Sequence, residues 1–137
     1  MGKAVRHTVH IQALWNGEPA RHDEHVSVSL VLQEDGLLVE VEAPNHGDPP
    51  PPSPPGSTWK LWEHEVVELF IVGREDHYIE LELGPHGHYL LLALHGARNI
   101  TRREIPLDTS TSHKGGRRWH GRCTLPTALL PSPPLRF

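Results

Sequence analysis

The sequence predicts an all-β protein, an antiparallel β-sandwich in which two sheets pack face to face. Several short runs alternate apolar and polar side chains, which is the periodicity of a half-buried strand. Turn residues separate these runs at close spacing, and the chain of 137 residues contains 14 prolines and 12 glycines. No run has the 3.6-residue periodicity of an amphipathic helix. Together these features are typical of a sandwich or a barrel.

Length and composition indicate a single domain over residues 1–137. The net charge of −4 disfavours a nucleic-acid surface, and no stretch is long and apolar enough to cross a membrane. The N-terminus lacks the apolar core of a signal peptide. A lone cysteine, Cys123, excludes an internal disulfide and is expected to be a small buried residue. We therefore expect an intracellular, cytoplasmic protein.

The first strands are predicted as a hairpin. The runs His25–Leu32 and Leu37–Ala43 flank "QEDG", with the turn placed at Asp35-Gly36. A proline-rich segment follows at residues 45–57, where six prolines exclude a helix or a central strand. We expect this segment to be an extended surface loop, since the strands before it are too few to form a domain alone.

A three-strand meander is predicted next, from "EVVELFIV", "HYIELELG" and "HYLLLALHG". The alternation sends Val67, Leu69 and Ile71 to one face of the first strand. In the second strand Ile79, Leu81 and Leu83 should face the core. Both faces of the third strand are apolar, which favours a central position in its sheet. "RREIPL" and "RRWHGRCTLP" are predicted to supply two more strands.

Three carboxylates should share the outward face of this meander: Glu68 on its first strand, and Glu80 and Glu82 on its second. Like charges on adjacent strands destabilise each other. We therefore expect either a raised pKa or a basic partner, for which Arg98 and Arg74 are the nearest candidates by topology.

Aromatic residues flank these carboxylates, and the combination is typical of a sugar site. An aromatic ring stacks on the apolar face of a pyranose, and carboxylate oxygens accept hydrogen bonds from its hydroxyls. The rings concerned are those of Trp59, Trp62, Phe70 and Tyr78. The alternative is a solvated sheet face with ordinary outward glutamates.

The stretch "LWEHEVVELFIVG…HYIELELGPHGHYLLLALHGARN" resembles the signature of an uncharacterised animal protein family. That family is classed as DOMON-like and is similar to the family 9 carbohydrate-binding modules. The resemblance implies a non-catalytic β-sandwich that binds glycans. Its pattern of Trp, acidic residue and Val-Glu-x-Phe-Ile is met by six residues of this chain: Trp62, Glu65, Val67, Glu68, Phe70 and Ile71. By the same resemblance, Trp62 would stack on the sugar and Glu68 would bond its hydroxyls.

The chain departs from that pattern in two places. Sugar-binding members carry an arginine near the position of Glu80, where this chain has the opposite charge. The second tryptophan of their binding site lies near a C-terminus that this chain does not match, and Trp59 or Trp119 would have to replace it. The resemblance therefore implies that the final strands are missing. In that case we expect Leu90, Leu92 and Leu94 or their neighbours to be exposed, with marginal stability and self-association.

Other chemistries are less well supported by the sequence. Glu68 with Glu80 or Glu82 could form a glycosidase pair, and His86 and His88 with the same glutamates could bind a metal, but no spacing is diagnostic. DOMON relatives include haem proteins with Met and His ligands. Here Met1 is the only methionine, which leaves a bis-histidine pair open.

The preferred prediction is a non-enzymatic module that binds a carbohydrate, without a metal or another cofactor. The alternative is a protein-interaction or structural module, and a glycoside hydrolase comes third. The candidate ligand-binding residues are Trp62, Glu68, Tyr78, Glu80 and Arg98.

Overall fold

The fold is that of a computed structural model, which describes residues 5–137. Met1, considered above as a haem ligand, lies outside this range. Ten strands are present: β1 (Arg6–Ile11), β2 (Val26–Gln33), β3 (Gly36–Pro44), β4 (Gly56–Ser57), β5 (Val67–Val72), β6 (His77–Leu83), β7 (His88–His95), β8 (Ile100–Arg102), β9 (Thr109–Lys114) and β10 (Arg118–Pro126). The helical elements are short 3-10 turns: His22–Glu24, Leu61–Glu63, Arg74–Asp76 and Thr127–Leu129. In the described part of the chain, no helix has the length and apolarity needed to span a bilayer.

The strands form two sheets, as the all-β prediction requires. The first sheet has the order β1-β2-β3-β10-β9, and all its pairs are antiparallel. The second has the order β4-β7-β6-β5, with β8 also paired to β7. Within residues 5–137, only β4 forms a parallel pair, next to β7. The chain is therefore a two-sheet β-sandwich in which β7 occupies the central position predicted for it.

The hairpin and the meander form as predicted, with one shift in a turn. β2 and β3 pair so that Gln33 lies opposite Gly36, which makes Glu34 and Asp35 the two turn residues. Gly36 begins β3 instead of closing the turn. A side chain at Gly36 would overlap the backbone carbonyl of Leu125 on the neighbouring β10, so glycine is required there by the close approach of two strands.

The main core lies between the two sheets. Leu37, Val39, Val41 and Ala43 of β3 are buried there, and the apolar faces of β5 and β6 pack against them. Trp119 and Cys123 enter the same core from β10, with 1% and 4% exposure. The full burial of Trp119 means that it cannot replace a sugar-stacking tryptophan. The expectation that Cys123 is a small buried residue is confirmed, and burial raises the pKa of its thiol to about 12.

A second apolar cluster covers the outward face of β7. Leu61, in the turn that follows the proline-rich loop, packs on Leu90, Leu92 and Leu94, and Trp59, Val66 and Tyr78 border this cluster. All four leucines are 5% exposed or less. The expected exposure of Leu90, Leu92 and Leu94 is therefore wrong, because residues 59–61 fold back over the sheet and cover them.

Two strand predictions near the C-terminus differ from the structure. "RREIPL" is not a strand, because β8 ends at Arg102 and residues 103–108 are irregular. Pro106 has no N–H for a ladder, and Glu104 has a positive φ of 54°. The segment instead places Ile105 in the core, where its N–H bonds the carbonyl of Leu91.

Strand β9 was not predicted, since "TSTSHK" has no apolar residue and its alternation is invisible in a hydrophobicity pattern. Its ladder with β10 supplies the pairing. "RRWHGRCTLP" is confirmed as β10. The proline-rich segment is a loop as expected, except that its last two residues form β4 beside β7.

Candidate functional site on the outer face of β5 and β6

Three glutamates meet on the outward face of the second sheet. Glu68 on β5 lies directly opposite Glu82 on β6, and Glu80 lies one position diagonally away, opposite Phe70. One carboxylate oxygen from each residue lies within 4.8 Å of the others. The predicted strand register is therefore correct, and it brings together side chains from two strands as a single group, hereafter the carboxylate cluster.

The three residues of the carboxylate cluster differ in burial. Glu68 on the edge strand is exposed, Glu80 is half-buried and Glu82 has 0% exposure. Both carboxylate oxygens of Glu82 are without a hydrogen-bond partner among the described residues. Alternation alone could not predict this, because it assigns a side chain to a face but does not reveal what covers that face.

The carboxylate cluster contains like charges that raise one another's pKa. Burial raises the pKa of Glu82 to about 8, and the charges of Glu80 and Glu68 contribute to the same shift. Burial also raises the pKa of Glu80, with a further contribution from the charge of Glu68. The predicted pKa increase is confirmed. The protein thus stabilises the protonated form of at least one of these carboxyls.

Arg98 and Arg74 do not neutralise the carboxylate cluster. Neither guanidinium forms an ion pair with Glu68, Glu80 or Glu82 in residues 5–137. Arg98 has a positive φ of 58° and is exposed. It reaches the site only through its backbone N–H, which donates to the Tyr78 hydroxyl at 3.3 Å. A role for its side chain as the counter-charge is therefore not supported.

An aromatic surface lies beside the carboxylate cluster. Phe70 is 42% exposed, and its ring centroid is 6.4 Å from that of Tyr78. These rings contribute to an open hollow of about 470 Å³, which is also lined by Val72, Asp76, Gly96 and Ala97. Since Phe70 is opposite Glu80, an aromatic ring and a carboxylate project from neighbouring positions on one sheet face.

Trp62 forms a different aromatic pair. Its ring packs edge-to-face on Trp59 at a centroid distance of 5.0 Å, and the Arg103 guanidinium lies 3.6 Å from the Trp59 ring centroid. Trp62 keeps 41% of its surface exposed. It is thus accessible, but its described ring contact is with Trp59, in the segment that covers β7.

Glu65 and His88 both bond the proline-rich loop. Glu65 Oε1 accepts a hydrogen bond from the His46 N–H at 2.6 Å. His88 is buried, and its Nε2 donates to the Ser53 carbonyl at 2.8 Å. The group of metal-binding side chains found among the described residues contains neither His86 nor His88. These contacts assign Glu65 and His88 structural roles.

A larger concave surface lies on the first sheet and was not predicted. It has a volume of about 750 Å³, and its lining includes His10, Arg21, His22, His25 and Arg118. Arg118 is already engaged there: it pairs with Glu42 at 3.3 Å and donates to the carbonyls of Asp23 and His25. The only sequence signals were the basic pair Arg117–Arg118 and the high histidine count, and neither places residues in space.

The relatives found by comparison with known proteins all carry the same family name. A Mus musculus protein named "UPF0462 protein C4orf33 homolog" is 41% identical over 130 residues, which are 93% of this chain and 67% of that protein. The Homo sapiens protein "UPF0462 protein C4orf33" is 37% identical over 64% of its length, and the Danio rerio homologue is 37% identical over 62% of its length.

The chain thus spans about two thirds of the curated relatives that it matches. No family model matches the chain. No solved structure matches it significantly. With 41% identity over two thirds of the mouse protein, the chain belongs to UPF0462, an uncharacterised animal protein family.

Proposed function

We propose that this domain is a non-catalytic, DOMON-like module that binds carbohydrate on the outer face of β5 and β6. The observation that carries the proposal is the exposed Phe70 ring, which lies beside Tyr78 and opposite Glu80. An aromatic ring gives a sugar an apolar stacking surface. A neighbouring carboxylate accepts its hydroxyl hydrogens in a fixed direction.

The shape of this surface suits a chain of sugars more than an enclosed small molecule. The hollow beside Phe70 and Tyr78 is shallow and open, and its volume of about 470 Å³ is within the usual range for ligand sites. Glu68 and Glu80 border the aromatic surface from β5 and β6. We assign sugar contacts to Phe70, Tyr78, Glu68 and Glu80, with Trp62 as a more distant aromatic contact. Inside the cell, to which the single cysteine points, the ligand would be a cytoplasmic glycan or glycoconjugate.

A hydrolase fits this geometry less well. A glycosidase needs a carboxylic acid that is protonated at neutral pH and that touches the glycosidic oxygen. The pKa of Glu80 is also raised, but the large rise is that of Glu82, whose side chain is fully buried. A sugar on the surface therefore could not reach it.

The proposal is tested by screening the purified chain on a glycan array and titrating the strongest soluble hit. We expect Phe70→Ala to weaken binding about tenfold, which corresponds to the loss of one aromatic contact. Leu32→Ala is the matched control, because Leu32 is an exposed apolar residue on the other sheet. Trp62→Ala and Trp15→Ala form a second matched pair, since Trp15 lies far along the chain and is 98% exposed. Absence of binding across the array, or equal binding by Phe70→Ala, would contradict the proposal.

A second candidate function is association with another protein chain through β1. This strand is at the edge of its sheet, and its six residues are all exposed. Val9 and Ile11 are each 44% exposed, and Trp15 projects from the following turn. An unpaired edge with apolar side chains favours strand addition by a second copy. Analytical ultracentrifugation of the wild type and of Val9→Lys tests this function. If the chain associates through β1, the mass of the wild type rises with protein concentration and that of Val9→Lys does not. A wild type that stays monomeric at all concentrations would contradict it.

A further inference from the structure

We propose that Glu68, Glu80 and Glu82 together bind a divalent cation of the calcium type. The site would lie on the outer face of β5 and β6, next to the aromatic surface. This inference rests on the carboxylate cluster itself and does not require carbohydrate binding, although Glu68 and Glu80 also belong to the proposed sugar site.

The spacing of the oxygens fits the coordination distances of Ca²⁺. Each glutamate offers one oxygen, and these three oxygens lie within 4.8 Å of one another. Ca²⁺ binds oxygens at about 2.3–2.6 Å, so two ligands on opposite sides of the ion are about 4.6–5.2 Å apart. The three oxygens are therefore close enough for one Ca²⁺ to contact all of them with little movement.

In the described part of the chain, the Glu82 carboxyl group is buried without a partner of opposite charge. Its side chain is completely buried, yet both of its carboxylate oxygens lack a hydrogen-bond partner among the described residues. A buried charge without a partner costs several kcal/mol, so such a side chain normally pairs with a cation, binds a metal or takes up a proton. The residues closest to it in the strand register, Glu68 and Leu90, offer no positive charge. A cation between the three carboxylates would satisfy both oxygens of Glu82.

The donor set selects the class of metal. All three ligands are carboxylates, which suit hard cations such as Ca²⁺, Mg²⁺ and Mn²⁺. The cluster contains no imidazole or thiolate, which are the ligands that favour zinc or copper. Ca²⁺ also accepts six to eight ligands in flexible geometry. Since Glu68 is exposed, water can complete the coordination shell from the solvent side.

The competing explanation is a shared proton. Glu82 would then stay protonated and donate to Glu80 or Glu68, and the cluster would need no ion. A carboxylate and a carboxylic acid can share a site in this way when like charges are close. The two explanations differ in whether added Ca²⁺ changes the protein.

The experiment uses the purified 137-residue chain, dialysed against a chelator and titrated with CaCl₂ and with MgCl₂ by calorimetry. We expect one Ca²⁺ per chain with a Kd between about 10⁻⁵ and 10⁻³ M, and weaker Mg²⁺ binding. The melting temperature should rise with Ca²⁺ concentration, because a ligand that binds only the folded state stabilises it. Glu82→Gln should weaken Ca²⁺ binding roughly tenfold or more, since it removes one ligand charge.

Glu34→Gln is the matched control. Glu34 is exposed in the turn of the other sheet, so the substitution makes the same change in net charge outside the site. Circular dichroism of both variants establishes that they fold. Glu82→Gln should fold at least as well as the wild type without Ca²⁺, because the buried charge is gone. If millimolar Ca²⁺ gives neither heat nor a melting shift, or if folded Glu82→Gln binds Ca²⁺ like the wild type, the cation site is refuted and the shared proton explains the cluster.

Discussion

Glu68 and Glu82 occupy directly opposed positions on β5 and β6, yet one is exposed to solvent and the other is completely buried. This contrast arises from their positions in the sheet. Glu68 lies on an edge strand, whereas Glu82 is flanked by β5 on one side and by Leu90 of β7 on the other. Because these two like charges differ so much in burial, we expect the stability of the protein to depend on pH and on cation concentration.

The stability of the cation-free chain should fall as the pH rises from about 4.5 to about 8. Burial and the charges of Glu80 and Glu68 raise the pKa of Glu82 from 4.5 in the unfolded chain to about 8 in the folded chain. Between these pH values the folded state holds a proton on Glu82 that the unfolded chain has lost. The free energy of unfolding therefore falls as the pH rises and this proton dissociates. The loss should amount to a few kcal/mol, since one pKa unit corresponds to about 1.4 kcal/mol.

Urea denaturation in a chelator at pH 5 and at pH 8.5 measures this loss. Glu82→Gln is the informative variant, because glutamine stays neutral at both pH values and should flatten the dependence. A wild-type stability that is equal at the two pH values would mean that Glu82 is not the buried titrating group.

Leu61→Ala should destabilise the protein by about 2–4 kcal/mol. Leu61 is fully buried against Leu90 and Leu92, and removal of a buried leucine leaves a cavity in addition to the lost apolar burial. The midpoint of urea unfolding provides the measurement. Leu32→Ala is the control, with an expected change below about 0.5 kcal/mol at an exposed position. An equally small effect for Leu61→Ala would show that residues 59–61 do not cover the sheet.

Gly36→Ala should destabilise the protein by about 2 kcal/mol or more. A Cβ at this position would overlap the Leu125 carbonyl on β10, so two paired strands would have to move apart. Gly84→Ala is a suitable comparison, since the nearest atom to its added Cβ is the Glu65 carbonyl oxygen at 3.4 Å, an ordinary contact. Thermal melting of both variants tests the prediction, which fails if the two substitutions have the same effect.

The Cys123 thiol should react with a thiol reagent only after the protein unfolds. It is 4% exposed, and burial raises its pKa to about 12, which leaves almost no thiolate at neutral pH. The rate of Ellman's reagent consumption at pH 7.5, with and without 6 M guanidinium, measures the difference. Rapid reaction of the native chain would place Cys123 at an accessible surface.

Much of the fold follows from alternation along the chain. The period of two grouped the apolar residues of β5 and β6 correctly, because these side chains pack together in the core between the sheets. It failed for β9, since "TSTSHK" contains no apolar residue, and at "RREIPL", where Pro106 and the positive φ of Glu104 end the ladder.

The candidate site was only partly predictable from the sequence. The convergence of Glu68, Glu80 and Glu82 follows from strand register, and Phe70 and Tyr78 follow from the same face. The burial of Glu82 does not, because alternation assigns a side chain to a face without showing what covers that face. Arg98 was proposed from chain topology, but its side chain forms no ion pair with the cluster in the described residues.

We propose that the carboxylate cluster of Glu68, Glu80 and Glu82 binds a cation and is not merely a group of acids that share a proton. A high-resolution structure from crystals grown in CaCl₂ is the most direct test. We expect one ion with oxygens of Glu68, Glu80 and Glu82 at about 2.3–2.6 Å and with water on the Glu68 side. A structure with no ion there, in which Glu82 donates a short hydrogen bond to Glu80 or Glu68, would contradict it.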